Sequence, residues 1–278
     1  MNPILSLAPQ AHDVSLRSLI VPPLPQPRYR LSLIIPTYQE RQNIQPLLHR
    51  LTQLLDRTCP GQYELIVVDD NSPDGTAAVV ESLLADYPAV QLMCRTAERG
   101  LSTAVVRGWQ QAQGEYLGVI DADLQHPPEI LLDLYHAMES GADLAVASRH
   151  VPGGGVSDWN LGRRMLSRGA QALGWLILPR VLGAVSDPLS GYFMVRRGAI
   201  ASQLMNPVGY KILIEVLARG RCDRIQEVSY VFQERQDGES KVTHRQYLEY
   251  LQHLARLRWE RWLSRFPAKS AKRPIKSS

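Results

Sequence analysis

Two aspartates one residue apart, with an amide two positions further on, stand at Asp121-Ala122-Asp123-Leu124-Gln125. Carboxylate and amide oxygens at this spacing, delivered by the end of an apolar run, are hard ligands suited to Mg²⁺ or Mn²⁺, with positions left for substrate phosphates. Carboxylates this close repel each other unless a cation lies between them. A bare Asp-x-Asp also suits a solvated acidic turn. The flanks Gly118-Val119-Ile120 and His126-Pro127-Pro128 make the pattern more specific. A second cluster runs Asp69-Asp70-Asn71-Ser72-Pro73-Asp74-Gly75-Thr76. Asp70 can accept hydrogen bonds from a base or ribose, while Asp74 or Thr76 can start the next helix. In a third, Pro36-Thr37-Tyr38-Gln39-Glu40, the tyrosine can pack on a nucleoside and the glutamate can accept from ribose hydroxyls. Taken alone, that stretch reads equally as a loop capping a helix.

Each cluster follows a short apolar run, at residues 31–35, 63–68 and 116–120; two further runs lie at 90–94 and 143–147, the latter closed by Ser148-Arg149. Stretches near 41–56, 75–86, 101–112 and 128–140 have helical character. Short apolar runs alternating with amphipathic segments predict an α/β fold: a mostly parallel sheet with helices on both faces. In such sheets ligands bind beyond the carboxyl ends of the strands, where these polar clusters fall. After residue 150 the rhythm changes. A glycine joint at 153–155 leads to a helix over 160–178 that carries Arg163, Arg164 and Arg168. A turn at Asp187-Pro-Leu-Ser-Gly191 precedes a strand over 192–195, and a helix over 209–219 and a strand over 228–232 follow. Asp187 and Ser190 read as turn-formers, and Lys211 reads either as a site residue or as cover for a sheet edge.

With 278 residues, 45% apolar and 21% charged, the chain can build a packed core and is neither disordered nor fibrous. Three distant cysteines exclude a disulfide scaffold or zinc ribbon and point to a reducing compartment, and seven histidines show no metal spacing. Residues 1–28, rich in proline, predict a flexible arm; 29–243 the catalytic domain; 244–266 an amphipathic helix; and 267–278 a basic disordered tail. From Arg256 onward eight Lys/Arg face one acid, a net +7 that leaves −3 for the other 255 residues. The basicity belongs to the tail, so a nucleic-acid partner is not expected. No apolar run approaches the roughly 20 residues that span a bilayer, and residues 1–30 do not read as a secretory signal.

The three clusters, in this order and at these strand ends, resemble inverting GT-A glycosyltransferases of family 2, most closely the polyprenol-phosphate (dolichol-phosphate) mannosyltransferases. The likeness runs from about Leu31 to Lys241 and takes in Asp187–Gly191, Gly209-Tyr-Lys211 and Arg235 through Gly-Glu-Ser-Lys241. The resemblance implies a GT-A fold in which Pro36, Tyr38, Glu40, Val68 and Asp70 hold the donor nucleoside. It implies that Asp121, Ala122, Asp123 and Gln125 surround metal and diphosphate, with Asp123 and Gln125 as the direct Mg²⁺ or Mn²⁺ ligands. Arg149 would lie between donor and acceptor, with Asp123 and Arg149 as the catalytic pair. Arg163 and Ser167 would join Arg149 at the acceptor phosphate, and Arg235 and Lys241 would close over the donor diphosphate.

The implied reaction moves a hexose, mannose from GDP-mannose in the first place, to a polyprenyl or dolichyl phosphate. A UDP-glucose or UDP-N-acetylglucosamine donor fits the same motifs, and a metal-dependent phosphatase is a distant alternative. Many members of that family continue into transmembrane helices. Here 247–266 offers an apolar arc of Tyr247, Tyr250, Leu251, Leu254, Leu257 and Trp262, followed by the basic tail. Two readings are open: a helix lying on anionic lipid, or one packed on the domain. A lipid acceptor implies at least transient contact, so the expected location is cytoplasmic, peripheral on the cytoplasmic face of a membrane.

Overall fold

The computed structural model describes residues 19–157, 161–233 and 244–263. In chain order these form β1 (Leu19–Ile20), β2 (Tyr29–Thr37), α1 (Ile44–Thr58), β3 (Tyr63–Asp69), α2 (Thr76–Leu83), β4 (Val90–Cys94), α3 (Leu101–Gln111), β5 (Gly114–Val119), α4 (Ile130–Glu139) and β6 (Leu144–Ser148). There follow β7 (Gly155–Val156), α5 (Leu161–Ile177), α6 (Pro179–Leu182), β8 (Phe193–Arg196), α7 (Arg197–Ile200), β9 (Leu204–Met205), α8 (Ile212–Arg219), β10 (Ile225–Ser229), β11 (Val231–Phe232) and α9 (His244–Leu263).

The central sheet runs β10-β6-β8-β5-β2-β3-β4, parallel throughout except for β8, which is antiparallel to both β5 and β6. Its inner strands β6, β8, β5, β2 and β3 are buried on both faces, as their apolar runs require, while the edge strands β10 and β4 are partly exposed. On one face Leu31, Leu33, Ile35, Leu65 and Val67 pack with Leu47, Leu48 and Leu51 of α1 and Leu131 and Leu134 of α4. On the other, Ile34, Ile66, Val119 and Phe193 pack with Val105 and Trp109 of α3 and Ile212 and Val216 of α8. Each such side chain contributes about 1.5–3 kcal/mol of burial energy, so the layer order is set by area, not by any one contact.

β2 continues through Pro36 to Thr37, beyond the end expected from the proline. On the β5 side its ladder stops at Ile34, so no hydrogen bond is asked of Pro36 there, while pairing with β3 persists to Thr37 and Asp69. The strand expected over 228–232 begins earlier, as β10, and breaks at Tyr230 before β11.

The expected loose arm is corrected from Leu19 onward. β1 pairs with β9, Val21 is buried, and Arg197 donates to the Pro22 carbonyl at 3.3 Å. Apolar burial anchors a segment whose prolines argued only against helix and sheet. Residues 1–18 and 264–278, with the expected basic tail, lie outside the described residues.

The apolar arc of α9 is divided. Tyr250, Leu254 and Leu257 pack with Leu178, Val181, Leu182 and Ile214. Leu248, Leu251, Trp259, Trp262 and Leu263 are exposed, as are Leu173, Trp175 and Leu176 on α5.

Candidate active site

Because β2, β3, β5 and β6 run parallel, their carboxyl ends reach one edge of the sheet, and the polar clusters meet there. Three of the turns hold a non-glycine residue in the left-handed region: Gln39 (φ 56°), Asn71 (φ 55°) and Leu124 (φ 59°). Such conformations cost on the order of 1–3 kcal/mol and persist where the surroundings enforce them. Here hydrogen bonds do so. Asp69 accepts from Thr37 Oγ1 (2.9 Å), from Ser72 Oγ (2.6 Å) and from Ser72 N (2.8 Å), and Ser72 Oγ accepts from Gln39 N (2.9 Å). Asp74 accepts from Thr76 N and Oγ1 (3.0 and 2.6 Å) and from Arg41 N (3.2 Å). Burial would raise the Asp74 pKa, but these donors outweigh it and hold it low. Asp74 thus serves the start of α2, its carboxylate holding the Thr76 N–H and hydroxyl.

The second and third clusters lie side by side, at the ends of the paired strands β3 and β2. Tyr38 is exposed, with the Arg99 guanidinium 5.6 Å from its ring centre. Glu40 is buried; its Oε2 accepts from Asn43 Nδ2 (2.8 Å) and its backbone N–H is held by Thr76 Oγ1 (3.0 Å). Asp70 is buried against a partner the sequence did not single out. Its Oδ1 accepts from Arg95 Nε (2.7 Å), its Oδ2 from the Gly100 N–H (2.7 Å). Burial pushes the Asp70 pKa up further than these donors pull it down. Pro36, Val68 and Ala122 are buried, Val68 and Ala122 within the apolar clusters. With their side chains in the core, Val68 and Ala122 can offer a ligand only their main chain.

At the end of β5, Asp123 Oδ1 accepts from Gln125 N (3.2 Å), and Asp121 Oδ2 lies 3.5 Å from His126 Nε2. Asp121 Oδ1 is buried with no hydrogen-bond donor among the described residues. Gln125 is bound to Gln233 in both directions: its Nε2 donates to Gln233 O (3.1 Å) and its carbonyl accepts from Gln233 N (2.9 Å). The amide nitrogen thus faces a carbonyl, which assigns Oε1 to any ligand. An orphaned buried carboxylate oxygen, a second carboxylate and an amide oxygen fit a hard dication that also takes oxygens from its substrate. Among the described residues no group of three or more His, Cys, Asp or Glu forms a cage of its own. His126 is buried among Tyr192, Tyr230 and Phe232, with ring centres 5.1–5.4 Å away, so it supports the turn.

Arg149, at the end of β6, is held by Asp187. Its Nε and Nη2 donate to the two carboxylate oxygens at 2.7 and 2.8 Å, and its backbone N–H adds a third bond at 3.2 Å. The carboxylate is fully buried and the guanidinium side chain only 9% exposed. Burial opposes both charges, yet the pairing outweighs it: the Asp187 pKa falls and that of Arg149 rises. Asp187 is therefore more than a turn-former. Spacing could not show this, because the two residues are 38 positions apart. β8 brings them together: since it runs antiparallel to β5 and β6, the turn before it emerges at the edge where they end.

Arg163 and Ser167 fall on α5, whose backbone is described there, but their side chains lie outside the described residues, as do those of Arg164 and Arg168. Arg235 and Lys241 also lie outside the described residues; the last one before them, Gln233, is the residue bound to Gln125. Besides Asp187, sequence reasoning missed Arg95, whose only signal was a lone basic residue directly after β4.

Residues 32–203 match the family model for glycosyl transferase family 2. Among known proteins, the chain is 42% identical over 232 residues to a dolichol-phosphate mannosyltransferase of Pyrococcus furiosus, covering 83% of this chain and 64% of that protein. It is 38% identical over 235 residues to the dolichol-phosphate mannosyltransferase of Saccharomyces cerevisiae, covering 81% and 86%. To a polyprenol monophosphomannose synthase of Mycolicibacterium smegmatis it is 37% identical over 227 residues, covering 78% and 83%. Among solved structures, a glucosyl-3-phosphoglycerate synthase of Mycobacterium tuberculosis in complex with Mn²⁺, UDP-glucose and phosphoglyceric acid superposes with a TM-score of 0.64 at 19% identity, covering 83% and 80%. That likeness speaks to the GT-A fold alone.

Proposed function

The chain belongs to glycosyl transferase family 2, and on that footing we propose that it moves mannose from GDP-mannose to a polyprenyl phosphate, inverting the anomeric carbon. The relatives named above as dolichol- and polyprenol-phosphate mannose transferases support the sugar and the acceptor. The structural observation that carries the reading is the meeting, at one sheet edge, of the Asp121–Gln125 turn and the Arg149–Asp187 pair.

The Tyr38, Glu40 and Asp70 side receives the nucleoside. Asp123 and Gln125, with Asp121 beside them, would hold Mg²⁺ or Mn²⁺. Such an ion supplies Lewis-acid stabilisation of the departing diphosphate. Arg149, fixed by Asp187, orients the two anionic substrates against their mutual repulsion. Arg163 and Ser167 are assigned to the acceptor phosphate, Arg235 and Lys241 to the donor diphosphate. An acceptor phosphate oxygen attacks the anomeric carbon as the bond to the diphosphate breaks on the opposite face. A phosphate monoester has its second pKa near about 6, so it is anionic at neutral pH and needs no general base.

The acceptor is a lipid, and we assign peripheral membrane contact to the exposed Leu and Trp side chains of α5 and α9. No helix among the described residues is long and apolar enough to cross a membrane.

The test is a thermal-shift series with GDP-mannose, UDP-glucose and UDP-N-acetylglucosamine, each with Mn²⁺, followed by transfer to a short polyprenyl phosphate. Stabilisation by GDP-mannose should grow with its concentration, and Asp123→Ala should abolish both turnover and metal-dependent donor binding while the unfolding midpoint without ligand stays put. Preference for a UDP-sugar overturns the donor assignment, and wild-type turnover by Asp123→Ala overturns the metal site.

A further inference from the structure

Lys211 stands at the cap position just before α8, with its side chain half-buried. Its Nζ donates to the Leu189 carbonyl at 2.7 Å and lies 4.5 Å from the centre of the Tyr210 ring. Leu189 belongs to the turn that also carries Asp187, the partner of Arg149, and Gly191, which abuts the Asp121 carboxylate. The ammonium therefore feels all three charged groups. Burial and Arg149 disfavour its charge, Asp121 and Asp187 favour it, and its pKa is pulled down to about 8.

Charge balance separates this lysine from its neighbour. The Arg149 charge is met within the protein by a bidentate carboxylate. The described partners of Lys211 are a carbonyl and a ring face, both neutral. An ammonium has three donors; with one used on Leu189, charge and hydrogen-bonding capacity remain for an anion. Position then selects which anion. Leu189 packs with Leu178, Val181, Leu182 and Tyr250, in the cluster that joins the end of α5 to α6, α8 and α9. Ala170 and Ile177 of α5, the helix to which Arg163 and Ser167 belong, pack against the same cluster.

We propose that Lys211 is a catalytic residue that binds the acceptor phosphate, its ammonium donating to one non-bridging oxygen while another attacks the sugar. The inference rests on the transfer reading above and adds to it a cation at the cap of α8.

The experiment compares the wild-type protein with Lys211→Met and Lys211→Arg. Transfer from GDP-mannose to a short-chain prenyl phosphate gives KM and kcat for each substrate, and calorimetric titration with GDP-mannose and Mn²⁺ gives donor affinity without turnover. Loss of one charge-assisted hydrogen bond should raise the acceptor KM of Lys211→Met about tenfold or more. Donor affinity should stay within about twofold, Lys211→Arg should recover part of the loss, and the unfolding midpoints should agree. If Lys211→Met does not fold, Lys211→Gln is read by the same criteria. Unchanged acceptor KM, or an equal loss of donor affinity, overturns the assignment. No transfer by the wild-type protein overturns the underlying function instead, and the lysine's role with it.

Discussion

Asp70 and Asp187 are both buried carboxylates facing an arginine, and they end on opposite sides of the ordinary value. At Asp187 two parallel bonds from Arg149 and one from the backbone outweigh burial and depress the pKa. At Asp70 burial wins over Arg95 and the Gly100 N–H and raises it. For Asp187 the sign is that of a paired acid: its contribution to stability is present above the unfolded pKa of about 3.9 and is lost as pH falls through the lower folded value. Asp187→Asn leaves the Arg149 charge buried and without its partner carboxylate, and should destabilise the protein by about 3–5 kcal/mol at pH 7. The difference from wild type should shrink once acid protonates Asp187 in the wild-type protein. Urea unfolding at pH 7 and at acid pH measures both; equal stability at pH 7 would show that the pair does not hold the site together.

Between elements, the closest approaches are made where side chains are missing. A Cβ at Gly191 would lie 2.7 Å from Asp121 Oδ2, so with any side chain there either the turn before β8 or the Asp121 carboxylate has to shift. Gly191→Ala should displace that carboxylate and lower turnover roughly 10–100-fold, with little change in unfolding midpoint. A steady-state assay across Mn²⁺ concentrations checks this, and undiminished turnover would show that Asp121 tolerates the shift. At Gly174 a Cβ would collide with the Tyr250 hydroxyl; its absence lets α9 lie against α5 and lets Tyr250 donate to the Ala170 carbonyl at 2.8 Å. The strand over 192–195 was legible as a short apolar run. Its insertion between β5 and β6, and hence the delivery of Asp187 to the site, was not, because a four-residue strand carries no mark of its direction or neighbours.

Across the molecule, α9 serves two surfaces. Its buried stripe closes the core beside α8, where the fully buried Glu215 pairs with Arg219 at 2.9 Å and Arg256 at 3.7 Å. Its other stripe ends in Trp259 and Trp262, stacked with ring centres 5.2 Å apart and 60% and 49% exposed. Indole rings so placed suit a membrane interface. Replacing both with serine should weaken co-sedimentation with anionic vesicles severalfold, since each ring contributes buried apolar area to lipid. The unfolding midpoint should not move. Unweakened sedimentation would assign the membrane contact elsewhere.

The sheet, its flanking helices and the clustering of Tyr38, Glu40, Asp70, Asp121, Asp123, Gln125 and Arg149 at strand ends could be read from the chain alone. Doubly buried strands need unbroken apolar runs, and the polar residues that follow them are local in sequence. Partnership was not readable. Which acid meets Arg149, that Arg95 backs Asp70, that Val68 and Ala122 turn into the core, and how the apolar residues of α9 divide between protein and surface all depend on contacts tens of residues apart. Those contacts are set by strand order and direction, for which neighbouring residues carry no record.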